Sequence, residues 1–115
     1  MSELSKIDII CGMEKFDGLR RALSRAGAHG LTVTQVLGCG AERGTKEYEV
    51  DENYEMELLP KTQVSVVVES TRVDELVELV KQQLYTGHIG DGKIFVTELA
   101  RVVRVRTGDE GMAAL

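Results

Sequence analysis

The run Thr86-Gly87-His88-Ile89-Gly90-Asp91-Gly92-Lys93 places three glycines in six residues and ends on a lysine. Glycine lets a backbone turn sharply and bring successive amides against an anion, and the lysine adds a point charge suited to phosphate. The run is not a Walker A loop, because the GxxxxGK[ST] spacing is missing and strand-forming residues follow. A glycine-containing helix-to-strand turn also occurs without any ligand, so both readings stay open on this pattern alone. Arg104 and Arg106 stand two apart in Val102-Val103-Arg104-Val105-Arg106. In a strand that spacing puts both guanidiniums on one face and turns Val103 and Val105 to the core. Two parallel forks suit a polyphosphate, each binding oxygens in pairs. A solvent-facing basic pair balanced by acids is the alternative. Lys93 joins this cationic set only if the two regions meet in space.

Other chemistry is not indicated. Cys11, Cys39, His29 and His88 show no ligand-type spacing, so no intrinsic metal site is expected, and the two cysteines read as buried structural residues. There is no nucleophile elbow and no Ser, His and Asp set of recognisable spacing, so no catalytic residue is assigned. Tyr48 and Tyr54 lie in an acidic stretch where an exposed phenol is open to modification or simply solvated.

The elements that must carry these groups follow from periodicity. Lys6 to Cys11 reads as a strand, and Glu14 to Ala26 as an amphipathic helix with Phe16, Leu19, Leu23 and Ala26 inward. Arg20, Arg21 and Arg25 are left for solvent. Gly27-Ala28-His29-Gly30 stops this helix. Leu31 to Leu37 reads as a second strand and Lys61 to Glu69 as a third, whose Val66-Val67-Val68 predicts cover on both sheet faces. A second helix spans about Arg72 to Tyr85, with Val73, Leu76, Val77, Val80 and Leu84 inward. Lys93 to Glu98 reads as a fourth strand and Val102 to Arg106 as a short fifth. Two βαβ units predict an α+β, ferredoxin-like sandwich, with a long loop between strands 2 and 3 and a short C-terminal strand. The uncovered sheet face predicts a homo-oligomer.

The chain has 115 residues and a formal net charge of −5, which predicts one domain over residues 1–115 and excludes a general nucleic-acid or membrane-surface binder. No apolar run approaches a transmembrane span of roughly 18 residues, and the start lacks a signal-peptide core. With two isolated cysteines, a cytoplasmic location is expected. Residues 40–60 hold seven acids against two bases, so the whole formal charge sits there. Such a stretch is either an inert solvated loop or a recognition arm; a loop this long in a small domain is usually functional.

The segment Thr86-Gly87-His88-Ile89-Gly90-Asp91-Gly92-Lys93-Ile94-Phe95-Val96, with Val102-Val103-Arg104-Val105-Arg106-Thr107-Gly108, closely resembles the PII nitrogen-regulatory signal-transduction proteins. Gly30-Leu31-Thr32-Val33-Thr34, Gly38-Cys39-Gly40 and Leu58-Leu59-Pro60-Lys61 extend the resemblance over nearly the whole chain. It implies a homotrimer binding ATP or ADP between subunits, with Mg²⁺ accompanying ATP and 2-oxoglutarate as a further ligand. It implies that Gly90, Asp91, Gly92 and Lys93 cradle phosphate, while Arg104 and Arg106 clamp it from the neighbouring subunit, with Val105 between them. Thr32, Val67, Gly38, Cys39, Gly40 and Ala41 would complete the nucleotide site. Lys61 matches the lysine that pairs with 2-oxoglutarate, and Tyr54 a tyrosine that some members carry as a uridylylation site. The arm departs from the family: Glu42 stands for a glutamine that helps hold magnesium and 2-oxoglutarate, Ala41 for an arginine near the phosphates, and Val50 for a pore-plugging arginine. A carboxylate at Glu42 suits Mg²⁺ but repels a dianionic keto acid. The implied partner is an ammonium transporter, a nitrogen-assimilation enzyme or another carrier, met through residues 40–60 (the T-loop). Two alternatives remain: an energy-only sensor, or a small nucleotide-processing enzyme (phosphatase or phosphotransferase), for which Asp91 is the one carboxylate in the glycine turn.

Overall fold

The computed structural model describes residues 2–39 and 58–115. The expectations for Gly40, Ala41, Glu42, Tyr48, Val50 and Tyr54, and for most of the acidic arm, lie outside the described residues.

Alternating burial builds the first strand, β1 (Leu4–Cys11), in which Leu4, Ile7, Ile9 and Cys11 are buried. Its neighbours are β3 (Leu58–Glu69) and β4 (Lys93–Leu99), both antiparallel, and β2 (Thr32–Cys39) pairs antiparallel with β3. The sheet order is β2-β3-β1-β4. Two helices, α1 (Phe16–Arg25) and α2 (Val73–Leu84), bury Leu19, Leu23, Leu76, Val80 and Leu84 against Ile7, Ile9, Val64, Val66 and Val68. This is the expected α+β, ferredoxin-like sandwich. A one-turn 3₁₀ segment leads into each helix, Met13–Lys15 and Ser70–Arg72, so both helices begin later than periodicity suggests. Gly27 takes φ +83°, and the amide of buried Ala28 donates to Leu23 O at 2.9 Å, a helix stop that only a left-handed residue closes without strain.

Two expectations change. Over Val102–Arg106 the structure has a single antiparallel bridge, Val103 to Glu110, in place of a fifth strand. The chain here folds on itself: Arg104 N donates to Asp109 O and Gly108 N to Arg104 O, both at 2.8 Å. A β-rich run becomes a sheet strand only where an edge receives it, and this one spends its hydrogen bonds locally. Val103 and Val105 therefore do not face the core, and Val105 is 96% exposed. On the helix-free face, β3 contributes Lys61, Gln63, Ser65 and Val67, so of the valine run only Val67 is apolar there. Asp8 of β1 occupies the same face, accepting from Ser65 Oγ at 2.5 Å and Gln63 Nε2 at 3.3 Å, with Lys6 Nζ 3.6 Å away.

Candidate functional site

The register of β1 against β4 sets Ile10 opposite Lys93, and that of β2 against β3 sets Gly38 opposite Leu59. Gly38, Cys39, Lys61, Ile10 and Phe95 thus come to one end of the sheet, where the glycine turn leaves α2 and enters β4. They enclose a cleft of about 470 Å³ together with His88, Ile89, Gly90, Asp91, Gly92 and Lys93. That size lies within the range of small-molecule sites. Lys61 and Lys93 supply two ammonium groups, and Gly90 and Gly92 take φ +100° and +123°. The turn is held shut by Asp91. Its carboxylate accepts from Thr86 Oγ1, from Thr86 N at 2.7 Å and from Gly87 N at 3.0 Å, and His88 N closes back on Thr86 Oγ1 at 3.1 Å. Lysines and main-chain amides round one cavity suit an anionic ligand, and Ile10 and Phe95 give it an apolar floor.

The Thr86 hydroxyl is the main cause holding the Asp91 carboxyl below its ordinary value; the amides of Thr86 and Gly87 and the charge of Lys15 act in the same direction. A carboxyl depressed in the folded state stabilises above its unfolded pKa, and that contribution disappears as pH falls through the folded value. Native protein should therefore exceed Asp91→Asn in stability at neutral pH, and the gap should close below about pH 3.9, the ordinary aspartate value. Urea midpoints of both proteins from neutrality into acid check this; a gap that persists in strong acid would detach the turn from the Asp91 charge.

Of the other sequence-selected residues, those that are described lie elsewhere on the chain. Thr32 pairs with Ser65 and Val67 with Lys6, whereas the cleft is at the Leu59 end of β3. Leu59 and Val67 are eight residues apart on β3, about 26 Å at roughly 3.3 Å per residue. Arg104 and Arg106 follow the exit of β4, where Leu99 pairs with Leu4 and Leu4 with Glu69. Within one copy, then, Lys93 and the two arginines sit at opposite ends of the sheet. Cys39 is exposed rather than structural, while burial pushes the Cys11 thiol up. Among the described residues no group of His, Cys, Asp and Glu could hold a metal ion, and no helix is long and apolar enough to cross a membrane. Ile10, Ile89 and Phe95 were not singled out from sequence. Phe95 shares the strand face of Lys93 by simple alternation, but Ile10 enters only through the cross-strand register.

A family model described as nitrogen regulatory protein P-II matches residues 4–109. Nitrogen regulatory protein GlnK of Escherichia coli K12 is 43% identical over 109 residues, covering 95% of this chain and 97% of that protein. Nitrogen regulatory protein P-II 1 of Methanothermobacter thermautotrophicus is 41% identical over 115 residues, with both chains covered in full. The solved complex of Bacillus subtilis GlnK with ATP superposes with a TM-score of 0.83 at 34% identity, covering 100% of this chain and 99% of that one. Arabidopsis thaliana PII bound to citrate gives 0.80 at 30% identity, covering 99% and 94%. With matched sequence, fold and length in agreement, this chain belongs to the nitrogen regulatory protein P-II family.

Proposed function

We propose that this protein is a P-II signal transducer that binds ATP or ADP in a cleft shared between copies and regulates a partner through residues 40–60. The observation that carries the reading is the separation of two phosphate-suited groups. Gly90, Asp91, Gly92 and Lys93 line one cleft with Gly38, Cys39 and Lys61, while Thr32, Val67, Arg104, Val105 and Arg106 lie toward the other end of the sheet. One nucleotide meets both groups only if a second copy brings its far end to the cleft, as the trimer of this family would. The ATP complex of the Bacillus subtilis relative supports nucleotide as the ligand class.

Lys61 in the same cleft is the residue for a carboxylate of 2-oxoglutarate, and Glu42 is the candidate ligand for the Mg²⁺ that accompanies ATP. Occupancy would act by population shift: a ligand touching the root of the arm favours one arm state by its differential affinity for that state. The acidic arm selects a basic dock on its target, whether an ammonium transporter, a nitrogen-assimilation enzyme or another carrier. The whole of 1–115 serves as one cytoplasmic P-II domain. The enzyme alternative is disfavoured by Asp91, whose three accepted hydrogen bonds stabilise its anion and make it a weak base.

Calorimetric titration of ATP and ADP with Mg²⁺, with and without 2-oxoglutarate, tests the ligands. Nucleotide binding with added heat from the keto acid means a full energy-and-nitrogen sensor; nucleotide binding alone means an energy sensor; no nucleotide binding overturns the reading. The shared cleft has its own test. Lys93→Ala and Arg104→Ala chains should each bind ATP weakly, and their co-refolded mixture should regain sites of native affinity. A mixture no better than its components would place both groups in separate sites.

A further inference from the structure

The guanidinium of Arg104 is already engaged. Its Nη2 donates to the main-chain oxygen of Leu115 at 2.6 Å, and its Nη1 lies 3.7 Å from Asp109 Oδ2. Both acceptors are held in place by local structure. Thr107 Oγ1 donates to Asp109 Oδ2 at 2.8 Å, and Arg101 grips Glu110 through Nε and Nη2 at 2.7 and 3.1 Å. Gly111 N donates to Val102 O at 3.0 Å, which returns the chain toward the arginines, and the 3₁₀ turn Gly111–Ala114 ends with Leu115 N on Met112 O at 3.2 Å. Arg106, two residues on, makes no hydrogen bond or ion pair among the described residues. One fork of the expected phosphate clamp is thus free, and the other already holds one hydrogen-bonded oxygen with a carboxylate at ion-pair distance.

We propose that residues 109–115 are a built-in substitute for phosphate: the Leu115 oxygen and the Asp109 carboxylate occupy Arg104 until a nucleotide's phosphate oxygens displace the Leu115 contact and release the 3₁₀ turn. The inference rests on the nucleotide reading given above and adds to it a competitor and a second reporter. The competitor lowers nucleotide affinity by the free energy of the contact that must be broken. The reporter is the surface carrying Met112 and Leu115, 38% and 49% exposed, which changes with occupancy independently of residues 40–60. Guanidinium hydrogen bonds to oxygen are strong enough for the exchange to matter: phosphate pairs with both donors of a fork, whereas the Leu115 oxygen takes Nη2 alone and Asp109 stands at 3.7 Å from Nη1.

The test compares the native chain, a chain ending at Glu110, and a full-length chain in which Met112, Ala113 and Ala114 are each replaced by glycine to loosen the turn. Both variants keep Arg104, Arg106 and the Arg101–Glu110 pair. ATP titration should show both binding about fivefold more tightly than the native chain, close to 1 kcal/mol at 1.4 kcal/mol per tenfold. Hydrogen exchange of the native peptide spanning Gly111–Leu115 should accelerate when ATP is added. Equal or weaker affinity in both variants, or exchange that slows or does not change, overturns the displacement while leaving the nucleotide site standing. A native chain that binds no ATP overturns the nucleotide reading, and this inference falls with it. The glycine variant keeps the comparison valid if the shortened chain folds poorly.

Discussion

Replacing Gly92 by alanine should cost the protein about 3 kcal/mol of stability and remove measurable ATP binding. Gly92 has φ +123°, and a built Cβ would fall on the main-chain oxygen of Ile10, closer than carbon and oxygen can approach. A non-glycine residue in such a region costs of order 1–3 kcal/mol before any clash. Relief would require the Ile10–Lys93 pairing to open, and that pairing carries the floor of the cleft and its lysine together. Gly30→Ala is the matched control: its φ is +74°, but nothing lies within 4 Å of the added carbon. Its cost should be the conformational one alone, about 1 kcal/mol. Urea midpoints with ATP titrations on both variants check the pair. Equal small losses would mean that the close approach at Gly92 is not what shapes the turn.

Arg104→Ala should leave the fold intact and weaken ATP by about 1.5–3 kcal/mol, the scale of hydrogen bonds to a charged group and roughly a tenfold to hundredfold loss. The fold survives because Arg104 lies outside the buried core, and its side-chain polar partners among the described residues are Asp109 and Leu115. The net loss is smaller than the bare phosphate contact if the displaced Leu115 oxygen already offsets part of it. Arg25→Ala, an exposed change on α1, should not alter affinity. Calorimetry on the two variants decides the matter: unchanged affinity in Arg104→Ala would take this segment out of the site.

The strands and helices were legible because their signals are local. Leu76, Val80 and Leu84 repeat at helical spacing, and Val64, Val66 and Val68 alternate, so each element declares its buried face wherever it packs. The glycine turn was legible too, since three glycines in six residues mark a sharply bent backbone, and Gly87, Gly90 and Gly92 all take positive φ. Val102–Arg106 misled for the same reason. Its alternation gives β propensity, but whether a ladder forms depends on a free partner edge, and here Asp109 and Gly111 take the hydrogen bonds first. Residue type marks Asp91 as the one carboxylate of the glycine turn, but only its neighbours show that it accepts three hydrogen bonds that close the turn.

By itself the sequence determined the order of the four paired strands and two helices, the inward faces of Leu76, Val80 and Leu84 and of Val64, Val66 and Val68, and the family, because these depend on residue type and spacing along one chain. Only the tertiary structure decided that Ile10 and Phe95 join Lys61 and Lys93 round a cleft, that Arg104 lies at the other end of the sheet, and that Leu115 already occupies it. Those facts depend on strand register and on where a chain returns, and register is fixed by pairing between residues far apart in sequence, which no local pattern encodes.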